Sequence, residues 1–157
     1  MKNRLLFVCL GNICRSPAAE AVFLSQIKTK GVEDLFEVDS AGTGSWHVGN
    51  QADSRMIVAA QRRGIEIKSI ARQIKISDLT KFNLILTMDR SNFEDVISLS
   101  EKDNNINHIA EIKPILAYSK NINLLDVPDP YYGGEKGFDD VLDILDDAIS
   151  CLLAELI

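Results

Sequence analysis

Two continuous apolar runs, Leu5-Leu6-Phe7-Val8 and Leu84-Ile85-Leu86-Thr87-Met88, limit the fold more than any other feature. A strand with one solvated face alternates apolar and polar residues; these runs offer no polar face, so they fit a parallel sheet covered by helices on both sides. The residues beyond each run agree. After the first, a short loop leads to Ser16-Pro17, read as a helix N-cap with proline at the first helical position. Apolar residues then recur at Ala19, Val22, Phe23 and Ile27 until Gly31 stops the helix. After the second run, Asp89 precedes a helical stretch over 91 to about 99. Another strand is expected over 36–41, running into the glycine-rich GTGSWHVG, after which Asp53 caps a helix that ends in Arg62-Arg63-Gly64. A weaker fourth strand is expected within 106–115. The last helix is amphipathic: Phe138, Val141, Leu142, Leu145, Ile149, Leu152 and Leu156 share one face, while Asp139, Asp143, Asp146 and Asp147 share a solvated one.

Alternating strands and helices predict one α/β domain over residues 1–157, an open parallel sheet with right-handed crossovers and helices on both faces. Ligands of such sheets sit beyond the carboxyl ends of the strands. The loop after the first strand, the glycine-rich loop after the second and Asp89 after the third all fall at that edge. The formal net charge of −6 argues against nucleic acid as a partner, which needs a basic footprint. No stretch approaches the roughly 18 apolar residues of a membrane span, and Met1-Lys2-Asn3-Arg4 does not lead into a secretory segment. A cytoplasmic protein without a membrane partner is expected, and its three cysteines, an odd number, are expected to be reduced.

The loop between the first strand and the first helix reads CLGNICRS, with Cys9 and Arg15 separated by five residues. Wound into a helix N-terminus, such a loop can turn several backbone N–H groups inward as an anion cradle, aided by the positive end of the helix dipole. Gly11 is expected to supply an unusual backbone conformation, and Asn12 is among the few other residues that tolerate the left-handed region. The same dipole and the Arg15 charge favour the Cys9 thiolate, a nucleophile inside an anion pocket. The planar Arg15 fork suits two equatorial oxygens of a phosphoryl group. Ser16 can donate its hydroxyl to the Cys9 sulfur. A Walker loop does not fit, because the second glycine and the lysine before Ser/Thr are missing. A metal site does not fit either: Cys9 and Cys14 have no second ligand pair, and His47 and His108 are isolated.

The stretches FVCLGNICRSPAAEAVF, VDSAGTGSWHVGN, ARQI, MDRSN and DPYYGG together resemble the low molecular weight protein tyrosine phosphatases over essentially the whole chain. The resemblance implies a four-stranded parallel sheet flanked by helices and a two-step, cofactor-free hydrolysis of phosphotyrosine on protein substrates. Carried onto matching positions, Cys9 attacks phosphorus, Arg15 clamps the phosphoryl oxygens, and Asp129 protonates the leaving phenolate and then activates water. Leu10, Gly11, Asn12, Ile13, Cys14 and Ser16 complete the phosphate loop, and Ser40 bonds Asn12 to hold that loop in shape. Trp46, Tyr131 and Tyr132 resemble the aromatic walls of the family's cleft. Cys14 is a candidate redox partner of Cys9. In bacteria the family often works beside tyrosine autokinases, which makes a tyrosine kinase a candidate partner, and a monomer is the expected state.

Residue chemistry bears on these assignments. Pro128 and Pro130 flank Asp129 and stiffen the loop that must hold a general acid. Asp126 is close by, and spacing does not separate the two. Loop aromatics serve equally well as packing anchors, Ser40 as a turn residue, and Asp89, a candidate for positioning the site, as a helix cap. One departure stands out: many relatives have a histidine two residues before the Ala-Arg of SIARQI, where this chain has Ser69. The rival readings are an arsenate reductase of the same fold and a redox sensor or phosphotyrosine-binding module. The first relays oxidation through two further cysteines, but this chain has none between Cys14 and Cys151. The second has no need of a general acid.

Overall fold

The apolar run after Arg4 becomes β1 (Asn3–Cys9), the second strand of a four-stranded sheet in the order β2-β1-β3-β4, every pair parallel. The computed structural model describes residues 2–102, 108–121 and 123–157. Around β1 lie β2 (Phe36–Gly42), β3 (Leu84–Thr87) and β4 (Glu111–Pro114), with Leu5 in register with both Val38 and Leu84. The fourth strand falls inside its expected window, of which residues 106 and 107 lie outside the described residues. The helices are α1 (Arg15–Lys30), α2 (Ser54–Gln61), α3 (Asp78–Lys81), α4 (Arg90–Glu101) and α5 (Glu135–Leu156).

The continuous apolar runs have the expected cause. Leu5, Phe7 and Cys9 point into a large core with Val22, Phe23 and Ile27 of α1 and Leu145, Ile149 and Leu152 of α5. Leu6 and Val8 point the other way, into a smaller core with Leu79, Phe82, Ile85 and Val96. Each such side chain contributes roughly 1.5–3 kcal/mol on burial, so both layers are needed and neither face tolerates a charge. The acidic face of α5 is outward as expected, though not wholly unpartnered: Arg63, just beyond α2, pairs with Asp143 at 2.8 Å and Asp139 at 3.5 Å.

Gly31 stops α1 in the left-handed conformation at φ 68°. Asp53 caps α2 by accepting the Arg55 N–H at 2.9 Å, but the helix ends at Gln61, short of the expected Arg62-Arg63-Gly64. The chain leaves β1 for β2 on one side and later returns to β3 on the other. The carboxyl end of β1 is therefore the switch point of the sheet, where open α/β sheets hold their ligands. No helix among the described residues is long and apolar enough to cross a membrane.

Candidate active site

β1 ends at Cys9 and α1 begins at Arg15, so the connecting loop closes over the carboxyl edge of the sheet. The helix thus starts one residue before Ser16, not after it. Its N-cap position is Cys14 and carries no side-chain cap, and Pro17 sits within the first turn. The reason lies in the Ser16 hydroxyl, which is not free to cap. It lies 3.0 Å from Cys9 Sγ and 3.3 Å from the Ala41 carbonyl, and it accepts Asn12 Nδ2–H at 2.8 Å. Its one proton goes to the sulfur when that is a thiolate, and the Asn12 N–H also points at Sγ from 3.3 Å.

The unusual backbone belongs to Asn12 rather than Gly11. Asn12 is the only non-glycine residue at positive φ (58°) among the described residues, and Gly11 is not in that region. What Gly11 supplies is room: a Cβ there would lie 2.9 Å from His47 Cδ2. Gly42 does the same behind the loop, since a Cβ would come within 2.7 Å of Leu10 O and 3.0 Å of the Gly11 carbonyl carbon. That close approach lets Thr43 and Gly44 N–H bond the carbonyls of Cys9 and Leu10, both at 2.9 Å. With the carbonyls held from behind, the N–H groups of Leu10, Gly11, Ile13 and Cys14 donate to no acceptor among the described residues. They are available to an anion, as expected of a cradle at a helix N-terminus.

The side chain of Asn12 turns away from the cleft and is fully enclosed. Its Nδ2 donates to Ser16 Oγ and, at 3.0 Å, to Ser40 Oγ, and its Oδ1 accepts the Arg72 N–H at 3.0 Å. Ser40 thus bonds Asn12, as the family resemblance implies. Beyond it, Ser40 Oγ donates to Glu20 Oε1 at 2.6 Å, a partner that no sequence pattern indicates. Ser69 lines the same groove as Glu20.

Burial pushes the Glu20 carboxyl up to about 7; Asp39 adds to this, while the Ser40 hydrogen bond and Arg72 act against it. Because the folded value lies above the ordinary one, the folded state holds this proton more strongly. The associated stability is full below the ordinary value of 4.5 and is lost as pH rises through about 7. Melting temperature should therefore fall across that interval, and Glu20→Gln should flatten the fall. A variant with the same slope as the wild type would show that another group carries it.

A cavity of about 390 Å³ opens over the loop, lined by Cys9, Leu10, Gly11, Ile13, Cys14, Arg15, Trp46, His47, Asp129, Tyr131 and Tyr132. Arg15 is only 3% exposed. Its Nη1 donates to Asp89 Oδ2 at 2.6 Å and to the Val127 carbonyl at 3.0 Å, and its Nη2 lies 3.7 Å from Asp129 Oδ2. Burial opposes the guanidinium charge, but Cys9, Asp89 and Asp129 outweigh it and hold the proton more firmly than usual. Asp89 serves both roles considered for it. Its Oδ1 caps α4 through Asn92 N–H at 2.8 Å while its Oδ2 fixes Arg15. Cys14 is different: burial first, then Asp53, Cys9 and Asp129, push its thiol far up, so it stays neutral beside Cys9.

Of the two carboxylates that spacing left open, Asp129 lines the cavity, whereas Asp126 Oδ1 is taken by the Arg90 N–H at 3.0 Å. Tyr131 and Tyr132 meet edge to face with centroids 5.0 Å apart, and Trp46 stands 72% exposed at the rim with its ring over Gly44. His47, considered only as a metal ligand in the sequence, lines the cavity between Gly11 and Tyr131, with ring centroids 6.3 Å apart. Its place beside Trp46 was the one signal that could have found it. No group of three or more His, Cys, Asp or Glu side chains suited to a metal occurs among the described residues.

The family model for the low molecular weight phosphotyrosine protein phosphatases matches residues 4–157. This chain belongs to that family. A low molecular weight protein-tyrosine-phosphatase of Bacillus subtilis is 40% identical over 97% of this chain and 94% of its own. The crystal structure of a protein tyrosine phosphatase from Entamoeba histolytica, with Hepes in its active site, is 43% identical. It superposes with a TM-score of 0.90 and covers 99% of this chain and 97% of that one. A Drosophila arginine phosphatase shares the fold at a TM-score of 0.92 with 28% identity, over 99% of this chain and 98% of that one. The chain is accordingly a protein-tyrosine phosphatase of the low molecular weight class, a hydrolase whose substrates are phosphoproteins.

Proposed function

We propose that the chain hydrolyses phosphotyrosine through a phosphocysteine on Cys9. The observation that carries this reading is the joining, in one cavity, of the Cys9 sulfur, a loop of undonated N–H groups, the buried Arg15 and the Asp129 carboxyl. The Cys9 thiolate, steadied by the Ser16 hydroxyl and the Asn12 N–H, attacks phosphorus opposite the phenolic oxygen. The N–H groups and Arg15 bind the equatorial oxygens, where charge spreads in the transition state. As the P–O bond breaks, protonated Asp129 gives its proton to the departing oxygen, leaving tyrosine and an S–P bond. Asp129, now a carboxylate, takes a proton from water; that water attacks phosphorus, the S–P bond breaks, and phosphate and the Cys9 thiolate are regenerated.

Trp46, Tyr131 and Tyr132 at the rim suit an aromatic ring, and a phosphoserine side chain is too short to bring its phosphorus to Cys9 past such walls. The test is a panel of matched peptides bearing phosphotyrosine, phosphoserine or phosphoarginine, alongside para-nitrophenyl phosphate. Phosphotyrosine should exceed phosphoserine by at least about two orders of magnitude in kcat/KM. Equal rates for the two would contradict the aryl specificity. Preference for phosphoarginine would place the chain with the substrate class named for its Drosophila relative.

A further inference from the structure

Asp129 sits on a segment without regular secondary structure, between Val127 and the start of α5 at Glu135. A general acid there must still be held at a fixed distance from the phosphate loop. The link is Arg55, in the first turn of α2. Its Nη2 donates to the Tyr131 carbonyl at 3.1 Å, and its Nε and Nη2 grip the Asp53 carboxylate at 3.1 and 2.8 Å. Its Cζ lies over two rings, 5.5 Å from the Tyr131 centroid and 4.7 Å from that of Phe138. At one end of this strut, the Asp53 N–H bonds the Ile13 carbonyl of the phosphate loop at 2.8 Å. At the other, the Tyr131 N–H bonds Asp129 Oδ1 at 3.0 Å.

We propose that Arg55 is a positioning residue that sets the general-acid loop against the phosphate loop, and so governs proton delivery to the leaving group. The proposal rests on the phosphatase reading above. An unbroken chain of contacts runs from Ile13 through Asp53, Arg55 and Tyr131 to Asp129. Arg55 does not line the catalytic cavity, and among the described residues its side-chain hydrogen bonds go to Asp53 and Tyr131 alone. Arginine suits this task because its planar fork binds a carboxylate and a carbonyl at once while its face stacks on rings; a lysine ammonium cannot do all three. The Arg55 side chain is 40% exposed but that of Asp53 only 10%, so the thermal melt of each variant is what separates lost stability from altered geometry.

The experiment compares wild type, Arg55→Met, Arg55→Lys, Asp129→Asn and the Arg55→Met/Asp129→Asn double variant, each checked by thermal melt. The substrates are phenyl phosphate, a poor leaving group, and 2,4-dinitrophenyl phosphate, a good one. Both Arg55 variants should lose roughly 10- to 100-fold in kcat/KM, which reports the first chemical step alone, on phenyl phosphate, and little on the dinitrophenyl ester or in inhibition by inorganic phosphate. In the Asp129→Asn background, Arg55→Met should cost nothing further, because the proton it helps deliver is gone. Equal losses on both esters, full additivity in the double variant, or no loss at all would overturn the positioning role. A wild type inactive on both esters would instead remove the phosphatase reading beneath it.

Discussion

Replacing Cys9 by serine should abolish turnover, by a factor on the order of 10⁴ or more, while phosphate and vanadate still bind. A serine hydroxyl is a far poorer nucleophile than a cysteine sulfur, so the variant lacks the group that attacks phosphorus in the proposed mechanism. Nothing else in the anion site changes. The undonated N–H groups of the loop, Arg15 and its anchors Asp89 and Val127 remain in place, and Ser16 Oγ and the Asn12 N–H can meet a serine oxygen as they meet the sulfur. Phosphate or vanadate protection in a thermal melt checks the binding half, and hydrolysis of para-nitrophenyl phosphate checks the other. Appreciable turnover in Cys9→Ser would remove Cys9 from the nucleophile role. Cys14 is no substitute, because its buried thiol is held neutral.

Asp129→Asn should lower kcat/KM, which reports the first chemical step, by roughly 10²- to 10⁴-fold for a poor leaving group and much less for a good one. The asparagine keeps the shape of the side chain and can still accept the Tyr131 N–H, but it has no proton to give a phenolate. The contrast between leaving groups is what assigns the role. An equal loss on both would mean that Asp129 orients substrate without donating a proton. Asp126→Asn is the internal control: its carboxylate serves the Arg90 N–H, outside the cavity, so its effect should be small and independent of the leaving group.

The features legible in the sequence are those in which one residue type has one physical use. Uninterrupted apolar runs have no home except a strand buried on both faces, and both cores flanking β1 follow from that. Cysteine, glycine and arginine at a strand-to-helix junction likewise have a specific chemistry in common. The errors came where neighbours far along the chain decide. Ser16 reads as both a cap and a partner of the Cys9 sulfur; only the second holds, because the loop folds back over β2 and engages the hydroxyl with Cys9, Asn12 and Ala41. Gly11 looked like the strained residue, but Asn12 takes the left-handed conformation, locked there by Ser16, Ser40 and the Arg72 backbone, while Gly11 makes room for His47. No local pattern could reveal Glu20 beneath Ser40 or Arg55 reaching Tyr131. Each is a contact between segments that only the sheet order brings together.

The most direct test of the central claim is to trap the covalent intermediate. Wild type and Asp129→Asn are mixed with excess para-nitrophenyl phosphate, quenched rapidly, digested and analysed by mass spectrometry. The proposed mechanism predicts a burst of para-nitrophenol and a single phosphoryl group on the peptide containing Cys9, accumulating further in Asp129→Asn, where the water that cleaves the S–P bond loses its base. Steady turnover without a burst, and with no phosphoryl group on that peptide in either protein, would mean that water attacks phosphorus directly and that Cys9 is not the nucleophile.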